Sequence, residues 1–205
     1  MTVDPKAPGG AYPPPPPPPP RPPAPGAAAP GAARYLVPAL VAAAVAVGLG
    51  AYGSVHAPSG TAFNLAGFSS PSAVKAWLAT AALTLGLVQL VTALTMYGQL
   101  PGVRAGDWTP ALHRWSGRAA FLVTVPVAVH CLYALGFQTA TPRALWHSLL
   151  GCFFFGAFSA KMLLLRMERL PGWLVPVVGG LVFASLAMLW LTSALWFFRT
   201  FGVTR

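Results

Sequence analysis

The sequence predicts an all-α integral membrane bundle of five spanning helices behind a disordered, proline-rich N-terminal segment. Three observations carry that expectation. Apolar residues make up 56% of the 205-residue chain and charged residues only 8%, whereas soluble domains carry about 25% charge. A chain so poor in charge cannot cover a water-soluble surface, which excludes an ordinary cytosolic enzyme and a secreted disulfide scaffold. The apolar residues fall in five runs near the ~20 residues that a helix needs to cross a bilayer. The prolines crowd into the first 34 residues, including the unbroken run Pro13–Pro20.

The elements follow in order. Residues 1–34 cannot form helix or sheet, because proline fixes φ and removes the amide donor. They read as a polyproline II rod and an Ala/Pro/Gly linker. The segment is a solvated spacer, or a ligand for an SH3- or WW-like groove. No signal peptide is expected, since the first apolar run starts only at Tyr35, after a long polar region. The spans are read at Tyr35–Ser54, Ala76–Tyr97, Leu112–Phe137, Ala144–Leu165 and Leu174–Phe198, a membrane domain over residues 35–200. Gly, Ser and Pro mark the first connection, Pro101-Gly102 and Asp107 the second, Gln138–Pro142 the third and Pro171-Gly172 the fourth. Thr109-Pro110 and Thr141-Pro142 read as helix starts, with Thr capping free amides and Pro losing no bond at the first position.

Thirteen Lys and Arg against three Asp and Glu give a net charge of +10. The cations are scattered at the ends of apolar runs, a pattern that fits lipid phosphate and membrane orientation rather than nucleic acid. With the N-terminus inside, Arg34, Arg104, Arg114, Arg118, Lys161, Arg166 and Arg169 are cytoplasmic, against Lys75, Arg143, Arg199 and Arg205 outside. That imbalance predicts a multi-pass protein of the cell membrane, its N-terminus cytoplasmic and its C-terminus outside.

The spans hold no Asp or Glu, which argues against a carboxylate-driven transporter. Walker, GxSxG and HExxH motifs are absent, as is a His/Cys zinc spacing. Cys131 and Cys152 read as free apolar packing residues whose depths differ by about one helical turn. The chemistry therefore falls to the histidines. His130 and His147 lie at similar distances before and after the turn between spans three and four. At ~1.5 Å per residue they share a depth roughly a dozen ångströms into the bundle. Two ionisable residues at one depth point to a shared ligand, and a haem b with two axial histidines is the first reading. Hydrogen bonding across helices, a metal ion and a quinone head group are the alternatives.

His113-Arg-Trp-Ser-Gly117 and His147-Ser-Leu-Leu-Gly151 share a His-x-x-x-Gly spacing that puts glycine on the histidine's face, where a flat macrocycle would find room. Pro126, four residues before His130, kinks span three. His113 lies near the inner surface, where Met96 is the one available axial partner and Arg114 and Arg118 face lipid phosphate or haem propionates. His56 reads as a loop histidine, with an alternative axial ligand folded over the outer site as the second reading. Geometry adds a condition. A haem held between two histidines needs its helices farther apart than the 8–10 Å of direct packing. Spans three and four, joined by a short loop, would have to sit diagonally.

The stretches Lys75-Ala-Trp-Leu-Ala-Thr80, Tyr97-Gly-Gln-Leu-Pro-Gly102, Leu112-His-Arg-Trp-Ser-Gly-Arg-Ala-Ala-Phe121 and His147-Ser-Leu-Leu-Gly151 resemble an uncharacterised family of multi-span membrane proteins from high-GC bacteria, over about residues 35–200. More distantly, the histidine pattern is similar to the ferric-reductase-like and ascorbate-reducible diheme cytochrome b membrane domains, which carry two histidine pairs across a four-helix core. That similarity implies haem ligation by His130 and His147, with His113 next. The chain departs from the pattern in having no histidine in spans two and five.

The function expected first is one-electron transfer through a haem b near the outer leaflet, exchanging with an outer redox protein or a quinol. A reductant would have to come from another subunit, since no FAD- or NAD-binding motif is present. A non-catalytic scaffold whose proline-rich tail recruits a partner is the second expectation, and a quinone- or metal-binding protein the third.

Overall fold

The computed structural model describes residues 31–62, 64, 65 and 67–204. The proline run, and the SH3- or WW-like ligand role read from it, fall outside the described residues, whereas Ala32–Arg34, read from the sequence as part of the same non-helical segment, belong to a 3-10 turn. Five helices are long and apolar enough to cross a membrane, and the described residues contain no strand. In a bilayer every backbone donor and acceptor must be satisfied within the segment, which is why apolar runs of this length fold as helices.

After a 3-10 turn at Ala32–Tyr35, α1 spans Leu36–Val55 and α2 spans Pro71–Met96. α3 covers Thr109–Val129 and passes into a π-helical turn at His130–Leu135; α4 is Pro142–Leu164. α5, Leu174–Trp190, continues through a second π turn, Leu191–Leu195, into the short α6, Trp196–Phe201.

Two helix starts are set by side-chain caps. Thr141 accepts from Ala144 N at 3.2 Å with Pro142 at the first position. Ser70 accepts from Ala73 N at 3.1 Å with Pro71 behind it, so α2 begins ahead of its apolar run at Ala76. Thr109 does not cap as its sequence suggests. Trp108 occupies the cap, and Thr109 Oγ1 accepts from the Gly106 amide at 3.0 Å, pinning the preceding turn. The π turn of α3 stops at Gly136, whose φ of 70° leads the chain out of the helix and under Pro58.

α1 packs on α4, α4 on α5, α5 on α2 and α2 on α3, and the π turn of α3 returns to α1. α3 and α4 are consecutive in the chain, yet their backbones do not approach closely; they meet through Phe121, whose ring stacks on Phe158 at 4.1 Å and lies edge-on to Phe155 at 5.9 Å. Small residues make the tight contacts, as is usual where lipid gives helices no hydrophobic reason to associate. A Cβ on Gly156 would stand 2.5 Å from the Ala42 carbonyl, so α4 lies directly on the α1 backbone. A Cβ on Gly86 would meet Leu186 at 3.0 Å.

The buried core is correspondingly thin. Ala73, Ala76, Ala194 and Phe197 form one cluster, and Ala82, Phe154 and Leu186 another. Leu40, Val47 and Leu122 are exposed on the outside, as lipid-facing residues should be.

The α1–α4 contact yields a test. Gly156→Ala should destabilise the protein by about 1–3 kcal/mol through overpacking. Gly180→Ala, whose added Cβ would meet nothing, should be neutral or stabilising by up to ~1 kcal/mol. Thermal unfolding of both variants in one detergent would reveal the contrast, and equal melting points would count against the close apposition of α1 and α4.

Candidate functional site

Toward the α3–α4 connection, beyond the Phe121–Phe158 contact, the bundle forms a partly open cavity of about 750 Å³. It lies toward the end where the α1–α2 and α3–α4 connections fall. Its deeper walls are mainly apolar: Ala79 and Ala82 of α2, Val127 and Ala128 of α3, Phe154 and Phe155 of α4, and Leu186, Leu189 and Trp190 of α5, with the Thr124 hydroxyl, which donates to Phe121 O, among them. The polar lining gathers at the connection end, where Ser69, Ser70, Ser72, Lys75, Gln138, Arg143, His147 and Ser148 are found. The cavity is thus amphipathic along its length. Its size falls within the ~300–1,000 Å³ of ligand sites.

His147 is the one histidine on this wall. Its Nδ1 lies 3.0 Å from Thr192 Oγ1, in the second π turn. Thr192 spends its hydroxyl proton on the carbonyls of Met188 and Leu189, at 2.8 and 3.2 Å. A hydroxyl so directed accepts from Nδ1, which assigns the proton of neutral His147 to that nitrogen. That leaves the Nε2 lone pair without a hydrogen bond to any described residue. A partner that fixes the tautomer in this way is what orients a histidine for metal ligation or for accepting a proton.

Thr192 also accepts from Arg143 Nη1 through its carbonyl, at 2.6 Å, while the Arg143 guanidinium sits 4.0 Å over the Trp196 ring. Gly151, one turn from His147, lines the cavity, and its nearest neighbour to an added Cβ is Leu189 at 3.9 Å. An added Cβ there would make ordinary contact with Leu189 without a clash.

His130 is differently placed. It stands on the first π turn, half-buried, and is absent from the cavity lining, whereas Cys131 and Ala128 beside it belong to it. Lys75 lies within electrostatic reach of His130, Cys131 and His147. The two histidines thus flank one region, but only His147 opens into the cavity. Cys131 and Cys152 are free thiols. Among the described residues, no group of three or more His, Cys, Asp or Glu could hold a metal ion.

His113 repeats the His147 arrangement at the other end of the bundle. Its Nδ1 lies 2.8 Å from Thr92 Oγ1, and Thr92 donates to Val88 O at 2.7 Å, so the same tautomer follows. Here the space beside the glycine is filled. Gln89 donates to the His113 carbonyl and to Ser116 Oγ, and a Cβ on Gly117 would come within 2.8 Å of its amide oxygen. Gly117 makes room for an amide rather than a macrocycle.

Arg114 and Arg118 are exposed, and Arg118 lies 5.0 Å over the Trp115 ring. Both belong to the His113 end and line no part of the cavity. Met96, on the last turn of α2, is exposed. His56 does not fold over the cavity. It stacks between Tyr52 and Tyr133, with ring centroids 4.9 and 5.0 Å away, and its buried Nε2 has no hydrogen-bond partner.

An internal amphipathic cavity in a bundle of five apolar helices defines a class, a multi-helix membrane protein with a ligand-sized chamber. The chain belongs to the family of unknown function DUF6529, whose profile matches residues 35–205. No curated protein and no solved structure matches it.

The threonine-locked tautomers are open to measurement. Nitrogen-15 NMR of histidine-labelled protein should show His147 and His113 protonated on Nδ1. Thr192→Val should release His147 into a mixture of tautomers and leave His113 unchanged, and Thr92→Val should do the reverse. An Nε2-protonated His147 in the unaltered protein would contradict the assignment.

Proposed function

We propose that the protein binds a membrane-soluble amphiphile in this cavity, its apolar body between α2, α3, α4 and α5 and its polar head at Lys75, Arg143 and His147. The observation that carries the reading is the polarity of the 750 Å³ chamber, mainly apolar in depth, with its charged side chains, Lys75 and Arg143, and His147 toward one end. With the N-terminus cytoplasmic, as the distribution of Lys and Arg supports, that end faces outward.

A more specific reading is favoured by the bare Nε2 of His147. The amphiphile would be a haem b, ligated by that nitrogen, or a quinol whose hydroxyl donates to it. Haem would supply one-electron exchange with an outer redox protein or a quinol. The residues of this chain that fit it are His147 as axial ligand, Gly151 beside the ring, and Lys75 and Arg143 for the propionates. His130 is outside the cavity lining, so the second axial position that bis-histidine ligation requires has no histidine on this wall.

Purified full-length protein separates the readings. Solvent extraction and mass spectrometry should find one amphiphile enriched over the bulk lipid, and Gly151→Leu, which fills the chamber, should deplete it. A reduced-minus-oxidised absorbance spectrum with sharp α and β bands, lost in His147→Ala, would make that amphiphile a haem. Colourless protein from cells that load other b-type cytochromes would remove the haem reading. No enrichment of any amphiphile, with Gly151→Leu indistinguishable from the parent, would remove the cavity reading and leave the scaffold role.

A further inference from the structure

We infer that the ligand's head is an anion, a carboxylate carried on an apolar body, held between Lys75 and Arg143. The inference rests on the cavity reading above and adds to it the charge of the head. Lys75 lines the chamber and makes no hydrogen bond or ion pair with a described residue. Arg143 is held in place by Thr192 O and Trp196, which occupies one of its terminal nitrogens and one face and leaves further N–H groups for a ligand.

The described carboxylates, Asp107 and Glu168, sit in the α2–α3 and α4–α5 connections, at the opposite end of the bundle. Two cations at the polar end of an otherwise apolar chamber, with no described counter-charge at that end, are costly unless an anion neutralises them. The first turns of α2 and α4, capped by Ser70 and Thr141, reach the same end. Ser72 and Ala144 line the cavity there, and the helix dipoles add positive potential to the two side chains. A neutral quinone head would leave that charge unanswered. A carboxylate accepts bidentate hydrogen bonds from a guanidinium and a charge-assisted bond from an ammonium. An acyl chain and a tetrapyrrole both supply one, and the absorbance spectrum above tells them apart.

The probe is a brominated stearate, compared with brominated stearyl alcohol, titrated into full-length protein in nanodiscs of zwitterionic lipid. Bromine quenches tryptophan, and Trp190 and Trp196 line the cavity. Stearate should bind at least about tenfold more tightly than the alcohol, the order of a hydrogen bond to a charged group. Lys75→Gln and Arg143→Gln should each reduce that preference by about tenfold while leaving the alcohol unaffected, and Lys75→Arg should restore it.

Equal quenching by acid and alcohol, unchanged in both variants, would overturn the anionic head and leave the cavity reading intact. No quenching by either probe beyond that of protein-free lipid partitioning would overturn both. Loss of alcohol binding in Lys75→Gln and in Lys75→Arg alike would assign Lys75 to structure and overturn its role as a ligand.

Discussion

The position of α4 depends on one missing side chain. Gly156 lets the helix settle against the backbone of α1 at Ala42, and α5 packs on its other side. α3 is meanwhile held by α2. The two helices that follow each other in sequence are therefore drawn to different neighbours, and the centre of the bundle near His147 is left without side chains large enough to fill it. The alanines at Ala76, Ala79 and Ala82 on α2 keep it open. A cavity in this place follows from close packing elsewhere: small residues that bring one pair of helices together hold another pair apart.

The connection between α3 and α4 allows the separation. Gly136 to Thr141 is short, but extended chain spans ~3.3–3.6 Å per residue, so six residues reach about 20 Å. That is twice the 8–10 Å of direct helix packing. A short loop bounds the distance between helix ends without making the helices neighbours. The backbones of spans three and four do not approach closely, but the Phe121–Phe158 stack joins them, and it is His147 and not His130 that reaches the space.

Much of the fold is legible in the sequence because the bilayer constrains it so strongly. Runs of apolar residues near the span length, and Thr141-Pro142 at the head of α4, lead directly to the helices observed. The parts that are not legible depend on which face each helix turns inward, and periodicity is a poor guide when a helix is apolar all round. Lys75 and Arg143 read from sequence only as cations that orient the chain, since nothing in their spacing places them on one chamber. Thr192 and Thr92 carry no signal at all, because a threonine in a membrane helix ordinarily bonds its own backbone, as these two also do. Only the neighbouring helix reveals that each has an acceptor left over for a histidine. The π turns were equally hidden, although Pro126, four residues ahead of His130, marks where α3 departs from regular geometry.

The two His-x-x-x-Gly segments show how far a motif goes and where packing takes over. Both histidines have the same tautomer, fixed by the same device: a threonine on an adjacent helix that donates to its own backbone and accepts from Nδ1. Both have a glycine on the same face one turn on. At His113 the space so created is taken by the Gln89 amide, which satisfies a carbonyl and a serine and closes the helix pair. At His147 the facing residue is Leu189, which would only touch a Cβ on Gly151 at 3.9 Å, and His147 lines the chamber. The residue opposite the glycine, not the motif, decides what fills the space beside the histidine. The Gln89 amide repays the burial of polar backbone at His113, whereas the aliphatic Leu189 offers no such bond beside Gly151.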